Sequence, residues 1–325
     1  MPKNQNLTFG PDKSQILRGL AIIFMVAHHN DTSLPGFRIC VPMFTFLVGV
    51  GYFYAKNKNI RHGLKRIWHL LSHFWLILLG IIFPIAVIAG GYKPTIGNLV
   101  FNMFGMEENL NWFSWYVNFY IFAMFLMIPV SRIIRKYKLS AAISLCLLCY
   151  LGVGLIHLIS GWHDNIWILT IHNCIVTSPP MFIGYYCAQS SIISRFDYLN
   201  PKTTLGISIC AMVITYFVRY IPYAVYLDFI SVPIFCLSIV LLFNYIATLP
   251  KWGGVSLIFI QFGKESMNIW FLHSLFFTTC TASVLYPLFG WLDNFALRVV
   301  LMFMATFFLS RLVTAIYSKL TTTKY

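Results

Sequence analysis

Apolar runs about as long as a bilayer is thick recur along the whole of this chain and restrict it to one kind of structure. A hydrocarbon core about 30 Å thick needs about 20 apolar residues per helix. Runs of that kind, broken by glycine, proline and charge, fall at residues 15–34, 41–55, 66–90, 112–131, 139–159, 168–188, 203–220, 226–248, 265–289 and 293–318. The polar stretch 91–111 predicts an external loop with a short interfacial helix over Ile96–Phe104. With 59% hydrophobic residues, 10% charged and a mean hydropathy of +0.75, too few ionisable groups remain to cover a water-facing surface, for which soluble domains use about 25%. A soluble enzyme is excluded. The expected fold is all-α: a polytopic transmembrane bundle of about ten helices, one domain over residues 1–325.

The 23 basic residues against 9 acidic ones give a net charge of +14. In a bundle such an excess marks loops retained in the cytoplasm rather than a nucleic-acid surface. Every lysine and arginine except Arg38, Lys93, Arg219 and Arg298 falls on one side of the expected bundle, which also holds both termini. An error of one helix would scramble that alternation. Trp112, Trp115, Trp162, Trp167, Trp252 and Trp291 sit near the expected interfaces, as an aromatic belt requires. The first run follows lysines as a signal peptide does, yet it carries Arg18, His28 and His29 and no small-residue cleavage site, so it reads as a retained span. Cys146 and Cys149 form a C-x-x-C inside an apolar run, without a second pair or zinc-spaced histidines. Their thiols read as small hydrophobes. No metal site is expected.

Ionisable groups inside spans are costly and therefore mark functional candidates. In the first span Arg18 and His29 are eleven residues apart, about 1100° at 100° per residue, or about 20° past three full turns. They share a face, separated by about 16 Å along the axis. His28 points about 100° away. A second cluster runs from Gly263 through Lys264, Glu265, Ser266 and Trp270 to His273. Ser266 and His273, two turns apart, would share a face of the ninth span. The plain reading has Arg18 reaching the headgroups and His273 as a hydrogen-bonded core residue. His62, His69 and His73 flank the basic loop, whereas His157, His163 and His172 gather near Asp164 at the outer side.

Several short motifs occur in a telling order. They are Arg18, Ala21 and His29 in the first span, Val41-Pro42-Met43-Phe44 opening the second, and Trp112-Phe113-Ser114-Trp115-Tyr116 opening the fourth. Met181-Phe182-Ile183-Gly184-Tyr185 follows in the sixth, and the Gly263…Ser266…His273 segment comes late. At these residues the chain resembles the integral-membrane acyltransferase family 3, whose members O-acylate carbohydrates at bacterial surfaces. Where that family commonly has Ser-Gly in the second helix, this chain has Val48-Gly49. The likeness is to the stand-alone members, which carry no SGNH-type esterase domain.

The resemblance implies an O-acetyltransferase of the bacterial cytoplasmic membrane, with acetyl-CoA as acyl donor, a carbohydrate acceptor, and no tightly bound cofactor. His29 would be the general base or a transient acyl carrier, with Arg18 binding or polarising the donor. His273 and Ser266 would line the pocket. His28, Trp115 and Tyr116 would contact substrate, and Lys65 and Arg66 of the basic loop would attract the donor's phosphates. Two other classes compete: a transporter or flippase of a polysaccharide precursor, which calls for repeats between halves that the sequence does not display, and a haem-binding electron carrier, which calls for histidines matched in depth on facing helices.

Overall fold

A computed structural model of the protein describes residues 10–89, 92, 93, 95–107, 110, 111, 114–192, 200–247, 249, 253–277 and 284–322. Trp112, Phe113 and Trp252 lie outside the described residues, as does the stretch 278–283 of the expected ninth span. Among those described, every regular element is helical.

Helix α1 (Pro11–Asn30) starts with proline at its first turn, where a missing N–H costs nothing, and has Asp12 near its N-terminus. A 3₁₀ turn (Pro35–Ile39) leads into α2 (Cys40–Tyr54). Helix α3 (Ile60–Ile77) is capped by Asn59, whose side chain accepts from the His62 N–H. It continues through a π-helical turn (Leu78–Ile82) into α4 (Phe83–Ile88), and α5 (Ile96–Met103) is the expected short helix. The run α6 (Trp115–His157) is two spans joined at Lys138, whose φ of 55° and ψ of −132° break the helix. That break agrees with the separate fourth and fifth spans read from the sequence. The sixth span is also divided, into α7 (Ile166–Thr177) and α8 (Pro179–Gln189), because Pro179 and Pro180 interrupt the hydrogen-bond ladder. Helices α9 (Pro201–Val218), α10 (Asp228–Ala247), α11 (Gly253–Leu272) and α12 (Phe295–Thr322) complete the chain.

One boundary departs from the sequence reading by about three turns. The ninth span, expected over 265–289, is α11 over Gly253–Leu272, followed by a 3₁₀ turn at His273–Phe276. Lys264 and Glu265 look like a helix boundary in sequence. In the structure Glu265 is buried and satisfied by partners on α12, so the helix runs straight through it. Ser266 is consequently mid-helix, and His273 stands just past the helix end rather than two turns along it.

Six described helical segments, including residues 35–54, 60–88 and 224–247, are long and apolar enough to cross a membrane. Leucines 147, 148, 151 and 155 of α6 are exposed, as side chains facing lipid should be. The protein is therefore a multi-pass membrane protein.

Two helix crossings place everything that follows. At Gly19 of α1 a Cβ would stand 2.2 Å from the Phe259 carbonyl oxygen, and at Gly263 of α11 it would stand 1.9 Å from that of Gln15. Only glycine permits this approach. Gly49 of α2 and Gly184 of α8 repeat the device, against Met181 and Phe46. The α1–α11 crossing brings the rings of His29 and His273 to 5.4 Å between centroids.

Candidate active site

Two cavities enter the bundle from opposite ends. The first, about 590 Å³, opens where the lysines and arginines cluster, between α1, α2, α3, α6 and α11. Arg18, Lys65, Arg66 and Lys264 line it with His62, His69, Ser266, Tyr116 and Tyr120, and its described lining contains no carboxylate. The second, about 630 Å³, opens at the far end and is lined by His28, His29, Trp115, Asn173, Thr177, Arg38, Arg219 and Asp228.

Arg18 and His29 therefore do not look into one chamber. Their shared face on α1 meets the lysine-rich cavity at one level and the far cavity at another. Between them stand Phe44, Tyr116 and Trp270, all buried. Trp270 packs on Tyr116 with ring centroids 4.6 Å apart and meets Phe44 edge-on at 4.9 Å. Among the described residues Trp270 alone lines both cavities.

On the far side of this layer the imidazoles cluster. The rings of His29 and His273 lie 5.4 Å apart between centroids, those of His28 and His29 5.3 Å, and Phe277 packs against both His29 and His273. His273 is fully buried, and its Nδ1–H donates to the Trp270 carbonyl. A carbonyl can only accept, so that bond puts the ring proton on Nδ1 and leaves the lone pair on Nε2. Ser266, in contrast, opens on the lysine-rich cavity, and the pocket expected to hold both Ser266 and His273 is not formed.

Three features escaped the sequence reading. Trp270 stood in a quoted motif without a role. Arg219 forms an ion pair with Asp228, both nearly inaccessible, and donates from Nη2 to the Arg38 carbonyl at 3.2 Å, closing one wall of the far cavity. Two opposite charges nine residues apart across a loop were the available signal. Glu265 binds α11 to α12, accepting from Thr314 at 2.7 Å and from Ser310 and Arg311 at 3.3 Å. The outer histidines gather as expected, with His157 and His172 nitrogens 3.2 Å apart, outside both cavities.

Fold and site together define a helical membrane protein with a basic cavity whose described lining holds no carboxylate at one end and imidazoles at the other, divided by one layer of aromatic rings. A family model described as an acyltransferase domain matches residues 13–316, so the chain belongs to acyltransferase family 3. Comparisons with curated proteins and with solved structures give no match. The protein is a membrane acyltransferase.

Proposed function

We propose that the protein carries an acetyl group from acetyl-CoA, bound at the cytoplasmic face of the bacterial cell membrane, to a hydroxyl of a carbohydrate held on the other side. The observation that carries this reading is the pair of opposed cavities, of which the lysine-rich one has four cationic side chains and no described carboxylate. That is the electrostatic lining a phosphate-rich thioester needs, and a low-dielectric wall strengthens it. Arg18, Lys65 and Arg66 hold the phosphates and steady the donor while the thin, uncharged pantetheine arm points along α1 towards His29. Tyr116 lies along that route, and Ser266 lines its wall.

In the far cavity His28, Trp115 and the Arg219–Asp228 pair bound the space for a sugar. The acceptor hydroxyl attacks the thioester carbonyl while the imidazole of His29 takes its proton. The tetrahedral adduct then expels the CoA thiolate, which recovers a proton from the imidazolium. Balanced this way, the step consumes one thioester and one hydroxyl and yields one ester and one thiol. An imidazole suits both proton transfers because its ordinary pKa is close to neutrality. His273 sets the orientation of His29 from the 3₁₀ turn that follows α11. A route through an acyl-histidine satisfies the same balance in two steps.

His29→Ala and Arg18→Ala are each expected to abolish glycan acetylation while the protein reaches the membrane in normal amount. Mass spectrometry of surface glycans with and without the gene should find the acetyl mass lost and the glycan amount unchanged. Full acetylation in a well-expressed His29→Ala strain would remove His29 from the mechanism, and a change in glycan amount alone would point to a carrier.

A further inference from the structure

The two cavities are separated by very little. Trp115 faces the far cavity and its neighbour Tyr116 the lysine-rich one, and Trp270 contributes to both linings. The indole is packed between Tyr116 at 4.6 Å and Phe44 at 4.9 Å, and the three side chains are each less than a tenth exposed. Trp270 is the described residue that both cavities touch, while Tyr116 and Phe44 line only the lysine-rich one. The Trp270 carbonyl also accepts from His273, so the residue that divides the cavities is attached to the imidazole pair.

From this we infer that Trp270 is the septum between donor and acceptor cavities and the residue that determines which acyl groups reach His29. The inference rests on the donor assignment made above and adds the class of acyl chain. A ring packed on two others leaves no lane for an alkyl chain at rest. A two-carbon acyl group needs only a small displacement of the indole, and each further methylene needs a larger one, so the septum selects short acyl thioesters. Until the indole is displaced, the ring layer also keeps water in the far cavity from a thioester waiting in the lysine-rich one.

Two measurements test this in inverted membrane vesicles of the producing cell, which keep its carbohydrate acceptor and expose the lysine-rich face, with Trp270→Phe and Trp270→Ala compared at matched expression. The first follows CoA thiol release from acetyl-, propionyl- and butyryl-CoA. Wild type should favour acetyl-CoA, Trp270→Phe should shift partway, and Trp270→Ala should raise butyryl relative to acetyl turnover by at least about tenfold. The second places a cysteine at Thr177, on the far cavity wall, in a background without native cysteines. A membrane-impermeant thiol reagent added at the lysine-rich face should leave this cysteine unlabelled in wild type and label it in Trp270→Ala.

Labelling in both proteins, or in neither, would overturn the septum. An unchanged chain-length profile in a labelled Trp270→Ala protein would overturn the selectivity. A wild type that turns over none of the three thioesters would sink the donor assignment and the selectivity with it, while the labelling, which needs no turnover, would still decide the septum.

Discussion

Glu265 shows how one side chain can mislead a reading of sequence and still govern the structure. It is 4% exposed, and its oxygens accept from Ser310, Thr314 and Arg311 on α12. Asn268, one turn on, donates to Thr314 and accepts from His73 of α3 at 3.1 Å, so a polar seam ties three helices together. Arg311 keeps more than half its surface exposed and is served by water when its partner is lost. Ser310 keeps its bond to the Phe307 carbonyl at 2.8 Å, so the loss falls on the half-buried Thr314 hydroxyl. Glu265→Ala should therefore lower the stability of the detergent-solubilised protein by about 1–3 kcal/mol, and Glu265→Gln, which keeps an acceptor, by less. Thermal unfolding would register the order, and equal losses in the two variants would show that the acceptor is not what matters.

Among elements, the α1–α11 pair decides whether a site exists. Its crossing depends on Gly19 and Gly263, whose hydrogens touch the opposite backbone. A methyl group at Gly263 would have to push the Gln15 carbonyl aside and would tilt α1, carrying His29 away from His273. Gly263→Ala should cost about 1–3 kcal/mol in stability and a larger fraction of acyl-transfer activity than of protein level. Gly254→Ala, on the same helix with nothing within 4 Å of the added carbon, is the control and should do neither. Activity and melting temperature measured side by side check this, and normal activity in Gly263→Ala would mean the crossing tolerates movement. The same pair explains why Arg18 and His29 could be read from spacing while His273 could not. The first two share one helix, where the period of 3.6 fixes their relation. His273 joins them across a crossing and lies beyond the end of its own helix, in a 3₁₀ turn.

For the molecule as a whole, the orientation proposed from charge has a direct check. Thr32 lies two residues past the end of α1, and Asn57 lies in the basic loop before α3; both are exposed. In a background without native cysteines, Thr32→Cys should label with an impermeant reagent in intact cells, and Asn57→Cys only in inverted vesicles. The reverse pattern would turn the donor cavity outward and end the acetyl-CoA assignment.

Composition and the spacing of apolar runs were enough to specify a helical membrane bundle, the side on which its cations gather, the breaks near Lys138 and the face shared by Arg18 and His29. These properties are local: each follows from the transfer energy of a run of side chains or from the geometry of a single helix. The division into two cavities, the meeting of His29 with His273, and the placing of Trp270 between them depend on contacts between helices distant in sequence. A one-dimensional pattern carries hydrophobicity and period, but which glycines meet, and which ring fills the space behind them, is settled only when the backbones close on one another.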